Sequence, residues 1–193
     1  LVVFGIGKIS DFIFDKDEGP RASTSMEVLG KLRPVMKDGT VTAGNASSQN
    51  DAASMCLVVA EDKLEELGLE PMAFLRGWAV TGCHPATMGI GPVPSTNKVM
   101  SKLGLSLEDM DIIELNEAFA AQACAVSRQL NLDPARVNPN GGAIALGHPV
   151  GATGAIIMTK LIHELHRING RYGMATMCIG GGQGISVVID AKP

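Results

Sequence analysis

The sequence predicts an α/β fold of stacked sheet and helix layers, and three observations carry that expectation. After residue 50, short apolar runs of strand length alternate with segments of helical period. The 193 residues are 46% hydrophobic with no break in composition, which suffices for a substantial core. Three reactive side chains, Asn116, His148 and Cys178, each stand at a junction with a turn, a helix or a glycine-rich loop. Open α/β sheets bind their ligands at such junctions.

The opening Leu1-Val2-Val3-Phe4 reads as a short strand, so the chain is expected to begin inside a structure and to be a fragment. Phe12 to Phe14 reads as a second short strand, and Asp17 to Arg21 as a turn-rich bend. Thr24-Ser25-Met26-Glu27 has the form of a capping box for a helix ending before Pro34. This first stretch reads as a lobe outside the sheet. From Asn50 the pattern predicts a helix into Cys56, a buried strand over Leu57 to Ala60, and a short helix from Asp62 to Leu67 stopped by Gly68. Met72 to Thr81 is apolar enough for a central strand. A Pro/Gly loop over 82–94 leads to a helix near Ser95 to Leu103, ended by Gly104, with a further cap at Ser106. The strand Asp111 to Leu115, a helix Glu117 to Leu130, the glycine-rich stretch Asn140 to Gly154 and a helix over 151–166 follow. Strands Tyr172 to Ile179 and Ile185 to Asp190 close the chain around Gly180-Gly181-Gly182-Gln183-Gly184.

Charge and composition exclude several function classes. No uncharged apolar run reaches the roughly 18 residues of a membrane span, and a net charge of −4 argues against binding nucleic acid by phosphate neutralisation. Four cysteines without CxxC pairing, Cys56, Cys83, Cys124 and Cys178, fit reduced thiols in a reducing compartment. Cys56 and Cys124 read as small core residues. The glycine run at Gly180 precedes a strand rather than following one and opening a helix, which disfavours a dinucleotide fingerprint. Ala152-Thr153-Gly154 lacks the lysine of a phosphate-binding loop, and His163-Glu164-Leu165-His166 lacks the spacing of a zinc protease. Cys83-His84 has no further ligands in company, so no metal is expected.

A thiol, an imidazole and an amide at one site form a group able to move protons and carry acyl groups. A thiol with its usual pKa of about 8.5 serves either as nucleophile or as acid/base. Backbone N–H groups at Gly180 are placed to hold an oxyanion. On spacing alone Asn116 is also a natural helix N-cap, and Cys178 also fits a core thiol.

Three segments carry a resemblance: Asn116-Glu-Ala-Phe-Ala, the run Asn138-Pro-Asn-Gly-Gly-Ala-Ile-Ala-Leu-Gly-His148-Pro-Val-Gly-Ala-Thr-Gly, and Cys178-Ile-Gly-Gly-Gly-Gln-Gly. They resemble the three C-terminal signatures of thiolases. The likeness extends upstream through Asp17-Glu-Gly-Pro-Arg21, Lys31-Leu-Arg-Pro and Asp38-Gly-Thr-Val-Thr-Ala-Gly-Asn-Ala-Ser47. It implies the layered αβαβα thiolase fold. Residues 1–49 would be the end of the CoA-binding loop lobe, 50–70 the last elements of the N-terminal domain and 71–193 the C-terminal domain.

The resemblance also implies the chemistry: reversible Claisen exchange between acyl-CoA thioesters, or thiolysis of a 3-oxoacyl-CoA, within fatty-acid and lipid metabolism. His148 would activate an acyl-carrying cysteine and form an oxyanion hole with a water held by Asn116. Cys178 would move the α-carbon proton in synthesis or take the CoA thiol proton in thiolysis, and the Gly180 N–H would help to form a second hole. Ala43, Ala46 and Ser47 match the pantetheine contact, Arg21 a phosphate contact, and Met88 and Phe119 the acyl pocket. Ser48 and Ala52 depart from the family's glycines.

None of the four cysteines matches the acyl-carrying one, so the chain alone is expected to be inactive and to need an N-terminal half. CoA and acyl-CoA are expected as substrates, with no tightly bound cofactor, a homodimer or homotetramer as the assembly, and the cytoplasm as the compartment with an organelle as the alternative. The alternative function is a catalytically incomplete acyl-CoA or lipid-binding protein of the same fold. A ketoacyl synthase fits less well, because that family pairs its cysteine with two histidines.

Overall fold

The computed structural model describes Ile13 and residues 15–192, which fall into two compact units divided between Leu32 and Arg33. The strand expected at Leu1 to Phe4 lies outside the described residues, as do Phe12 and Phe14 of the one expected over Phe12 to Phe14; Ile13 between them is exposed. In the first unit, helix α1 (Met26–Gly30) is capped by Ser25, whose Oγ accepts from the Val28 N–H at 3.2 Å. The cap is Ser25, one residue later than the expected Thr24/Glu27 box; Glu27 instead pairs with Lys31 one turn on.

In the second unit, residues 50–60 form neither the expected helix nor the expected strand: Met55, Leu57 and Val58 stand exposed, and so does Cys56. A strand needs neighbours to take up its N–H and C=O groups, and none lies beside this segment among the described residues. A 3-10 turn and helix α2 (Leu64–Leu67) follow, closed by Gly68 in the left-handed region as expected.

The sheet contains β1 (Phe74–Gly82), β2 (Ile112–Leu115), β3 (Tyr172–Ile179) and β4 (Gln183–Asp190) in the order β1-β4-β3-β2. β1 and β4 pair antiparallel, as do β4 and β3, whereas β3 and β2 are parallel. β1 therefore lies at an edge rather than at the expected centre, with Leu75, Trp78 and Val80 roughly half exposed. Apolar composition suggested burial, but the position of a strand depends on its pairing.

Helices cover both faces. Helix α3 (Pro92–Leu103) starts at Pro92, three residues ahead of the expected Ser95, because proline is favoured in the first helical turn. With α4 (Ala120–Leu130) it packs on one face, where Val99, Met100 and Val126 meet Ile113, Leu115, Met174 and Val188. On the other face α6 (Thr153–Ile168) buries Ile157, Leu161 and Leu165 against Ile112, Ala175 and Ile189. Burying a leucine side chain contributes about 1.5–3 kcal/mol, so the two fully buried leucines of α6 are a main tether of that layer. Cys124 lies exposed on α4, contrary to its expected place in the core. A one-turn helix within the glycine-rich stretch, α5 (Ala143–Leu146), was not expected.

Candidate active site

Parallel pairing sets the spacing of the site. Leu115 is in register with Thr176, and the Asn116 N–H continues the ladder by donating to Thr176 O at 2.9 Å. The outer edge of β2 is closed by a side chain: Asn138 accepts from Leu115 N at 2.9 Å and donates to Leu115 O at 2.8 Å. Asn116 is thus held at 2% exposure just beyond the strand. It is not the helix cap that spacing alone allowed, because α4 begins only at Ala120. Its Nδ2 instead faces His148 Nε2 at 3.3 Å.

His148 is positioned from three sides. Its N–H donates to Ser48 O at 3.0 Å and approaches Asn50 Oδ1 at 3.3 Å, and its Nδ1 lies 2.7 Å from Thr153 Oγ1. Gly147 makes the approach of the 48–50 segment possible: its φ is +94°, and a Cβ there would sit 2.2 Å from Asn50 Oδ1. The same segment is stitched to the start of α4 by Ser47 N to Ala118 O (3.0 Å) and Ala120 N to Asn45 O (2.8 Å). Glu117 reaches across to accept from Ile144 N at 3.2 Å, capping α5.

Cys178 lies near the end of β3, where Met174, Thr176 and Cys178 alternate onto one face. The turn that follows needs Gly182, with φ +92° and a hypothetical Cβ only 2.4 Å from Cys83 O. Cys178 is 7% exposed, and burial pushes its thiol pKa up, with a smaller contribution of the same sign from Cys83 set against a hydrogen bond to its backbone. Burial also lowers the pKa of His148. Both groups are therefore neutral at pH 7.

His148, Cys178, Gly180, Ser47, Met88 and Phe119 line one cavity of about 490 Å³. Among the described residues its lining holds no carboxylate, lysine or arginine, and His148 and Cys178 are its ionisable side chains. Asn116 joins from behind through its bond to His148. Ala43 and Ala46 do not line the cavity; Ala43 is exposed, and Ala46 is bridged to Phe119 through its backbone. Arg21 belongs to the first unit, where its Nη1 donates to Gly19 O at 3.2 Å. Ser48 uses its hydroxyl locally on Asn50 Oδ1 at 2.8 Å.

Thr153, Asn50 and the Lys160–Glu114 pair were not anticipated. Thr153 carried a signal, since it is a hydroxyl five residues after His148 at the start of a helix. The other two meet their partners only across long stretches of chain.

Two family models match the chain: the thiolase N-terminal domain over residues 3–62 and the thiolase C-terminal domain over residues 69–191. Beta-ketothiolase BktB of Cupriavidus necator is 52% identical over 186 residues, covering 95% of this chain and 47% of its own length. The 3-ketoacyl-CoA thiolase of human mitochondria is 52% identical over 176 residues, covering 91% and 44%. Among solved structures, the human mitochondrial 3-ketoacyl-CoA thiolase in complex with CoA superposes with a TM-score of 0.84 at 49% identity, covering 92% of this chain and 45% of that one. The acetyl-CoA acetyltransferase of Bacillus anthracis gives 0.85 at 44% identity, covering 98% and 48%. The chain spans about half the length of the curated relatives it matches.

Proposed function

Because this chain belongs to the thiolase family, we propose that it serves acyl transfer to and from coenzyme A, by Claisen condensation of two acyl-CoA thioesters or thiolysis of a 3-oxoacyl-CoA. The observation that carries this reading is the cavity whose titrating side chains are one imidazole and one thiol, both neutral, with a buried amide bonded to the imidazole.

In the thiolytic direction an acyl-carrying thiol adds to the 3-oxo carbon, and the C2–C3 bond breaks with its electron pair passing to C2. That carbon takes the proton of Cys178 Sγ–H, releasing acetyl-CoA. His148 Nε2 takes the proton of the acyl-carrying thiol as it adds; the thiol of a second CoA then gives its proton to the Cys178 thiolate and attacks the acyl thioester, and His148 returns its proton to the departing enzyme thiolate. A thiol kept neutral by burial is in the correct state to act as the acid. The enolate oxygen needs a donor, assigned to the Gly180 N–H, and losing one such donor typically costs about 3–4 kcal/mol. Asn116 and His148 are assigned to the hole for the other carbonyl oxygen.

Cys56, Cys83 and Cys124 line no part of the cavity, and Cys56 and Cys124 are exposed. We therefore assign the acyl-carrying step to a cysteine outside these residues, and expect this chain to be inactive alone. Ser47 gives its proton to Ala118 O at 3.0 Å, which leaves its oxygen lone pair as the group offered to a pantetheine N–H. Ala43, Ala46 and Arg21 complete the proposed CoA contacts, and Met88 and Phe119 the acyl contacts. Residues 1–49, 50–70 and 71–193 are assigned as the end of the loop lobe, the end of the N-terminal domain and the C-terminal domain, and the working assembly as a homodimer or homotetramer. No described helix is long and apolar enough to cross a membrane. Four free thiols favour a reducing compartment, the cytoplasm first.

In the whole enzyme Cys178→Ala is expected to abolish exchange while still allowing an acyl group to load from acyl-CoA, as read by intact mass. Loss of loading as well would reverse the role given to Cys178. Turnover of acetoacetyl-CoA and CoA by this chain alone would remove the need for an outside cysteine.

A further inference from the structure

The geometry points to Thr153 as the residue that fixes His148 in the tautomer with its proton on Nδ1, keeping Nε2 free as the proton acceptor. Thr153 is 3% exposed and opens α6. Among the described residues its Oγ1 has two hydrogen-bond neighbours, Pro149 O at 2.9 Å and His148 Nδ1 at 2.7 Å.

A threonine hydroxyl has one proton and two lone pairs, whereas a carbonyl oxygen only accepts. Both contacts are attractive in one arrangement alone: Oγ1–H donates to Pro149 O, and Oγ1 accepts from Nδ1–H. With the proton on Nε2 instead, Oγ1–H would turn to Nδ1 and leave two oxygens facing each other at 2.9 Å. The carbonyl is not free to withdraw, because Pro149 O also receives the N–H groups of Ala152 (2.8 Å) and Thr153 (2.9 Å). Donation to Pro149 O further polarises Oγ1 and makes it a better acceptor for Nδ1–H.

The far side of the ring agrees. With Nε2 unprotonated, its lone pair meets the Asn116 Nδ2–H at 3.3 Å. In this orientation Asn116 Oδ1 has no partner among the described residues, and turning the amide over to receive an Nε2–H would exchange that one unpaired oxygen for two unpaired N–H donors. His148 thus sits in a neutral relay, Asn116 to His148 to Thr153 to Pro149 O, which contains no carboxylate. This differs from the Ser-His-Asp arrangement, in which an ionised partner stabilises the imidazolium. A proton taken up on Nε2 is held weakly and passed on. Thr153 touches no reacting atom, so it is a positioning residue.

The consequence for turnover rests on the acyl-transfer reading above; the tautomer itself does not. It is read from the ring-nitrogen signals of the 15N-histidine-labelled protein without substrate, with His148 assigned by the loss of its signals in His148→Gln. The expected wild-type spectrum shows a pyrrole-type Nδ1 and a pyridine-type Nε2. Thr153→Val is expected to mix or reverse the two, and Thr153→Ser to restore them. A pyridine-type Nδ1 in the wild type overturns the inference even if the valine variant fails to fold, and so does an unchanged pattern in a folded valine variant. In the whole enzyme Thr153→Val should lower kcat while leaving the KM for acyl-CoA unchanged, with recovery in Thr153→Ser. An altered tautomer with unchanged kcat would refute the catalytic consequence.

Discussion

Replacing Asn116 by aspartate tests the electrostatics of the site with almost no change of shape. The Nδ2 that faces His148 Nε2 at 3.3 Å becomes a carboxylate oxygen. With an effective dielectric of about 20, two unit charges at that separation attract by about 5 kcal/mol. At about 1.36 kcal/mol per pH unit, this sets a ceiling of between three and four units on the rise of the His148 pKa. The new carboxylate must itself be buried, since Asn116 is 2% exposed, and that cost reduces the effect to about one to three units. The sign is opposite to the native one, in which burial alone holds His148 below its ordinary 6.5. At neutral pH a larger share of His148 in the variant is therefore imidazolium, whose Nε2 already holds a proton and does not serve as a base. NMR titration of His148 is expected to show the rise, and the acidic limb of the kcat/KM profile should move to higher pH. A His148 that titrates at or below its native value in Asn116→Asp would refute the reasoning.

Two further substitutions probe the scaffold beneath the site. Lys160 Nζ donates to Glu114 Oε2 at 2.9 Å and to Gly141 O at 2.7 Å, and Glu114 is 1% exposed. Lys160→Met should destabilise by about 3–5 kcal/mol at neutral pH, because it strands a buried carboxylate. Burial already raises the Glu114 pKa, and losing Lys160 raises it further, so the native state binds the proton more tightly than the unfolded state. The penalty should therefore be smallest below about pH 4 and grow as pH rises through the native-state value. Equal losses in urea midpoint at pH 4 and pH 8 would contradict this. Gly147→Ala forces a side chain into the left-handed region, at about 1–3 kcal/mol, and drives its Cβ onto Asn50, which contacts the His148 N–H. A melting temperature lowered accordingly is expected, and a displacement of about 1 Å at His148 would cut turnover roughly a hundredfold; wild-type turnover would show that the Asn50 contact is dispensable.

What the sequence made legible followed from local physics. β3 runs from Tyr172 to Ile179 as read from its apolar run, and Gly68 and Gly104 end their helices in left-handed conformations as their positions suggested. The three reactive residues were legible because each stands at a junction in the chain. Misreadings occurred where pairing decides the outcome. An apolar run such as Leu57 to Ala60 or Met72 to Thr81 shows that a strand is affordable, not which neighbour it has. Asn116 was ambiguous because capping and ligand contact call for the same short polar side chain. The choice was made by α4 starting at Ala120, which placed Asn116 beyond any cap. Thr153 is hard to read from sequence because its hydroxyl in Ala152-Thr153-Gly154 also has the form of a phosphate-loop residue, while its partner lies five residues upstream.

The parallel ladder between β2 and β3 has a consequence for how the chain tolerates insertions and deletions. Asn116 and Cys178 are 62 positions apart in the sequence, yet their separation in space is set by Leu115 lying opposite Thr176. Length changes in the connection between α6 and β3 should leave that separation intact. A single residue added within β3 ahead of Cys178 would turn the thiol toward the α6 face, since successive strand residues point to opposite sides. The chemistry is thus indexed to strand register rather than to chain length, so loops can lengthen or shorten during divergence while the two strands must keep their count.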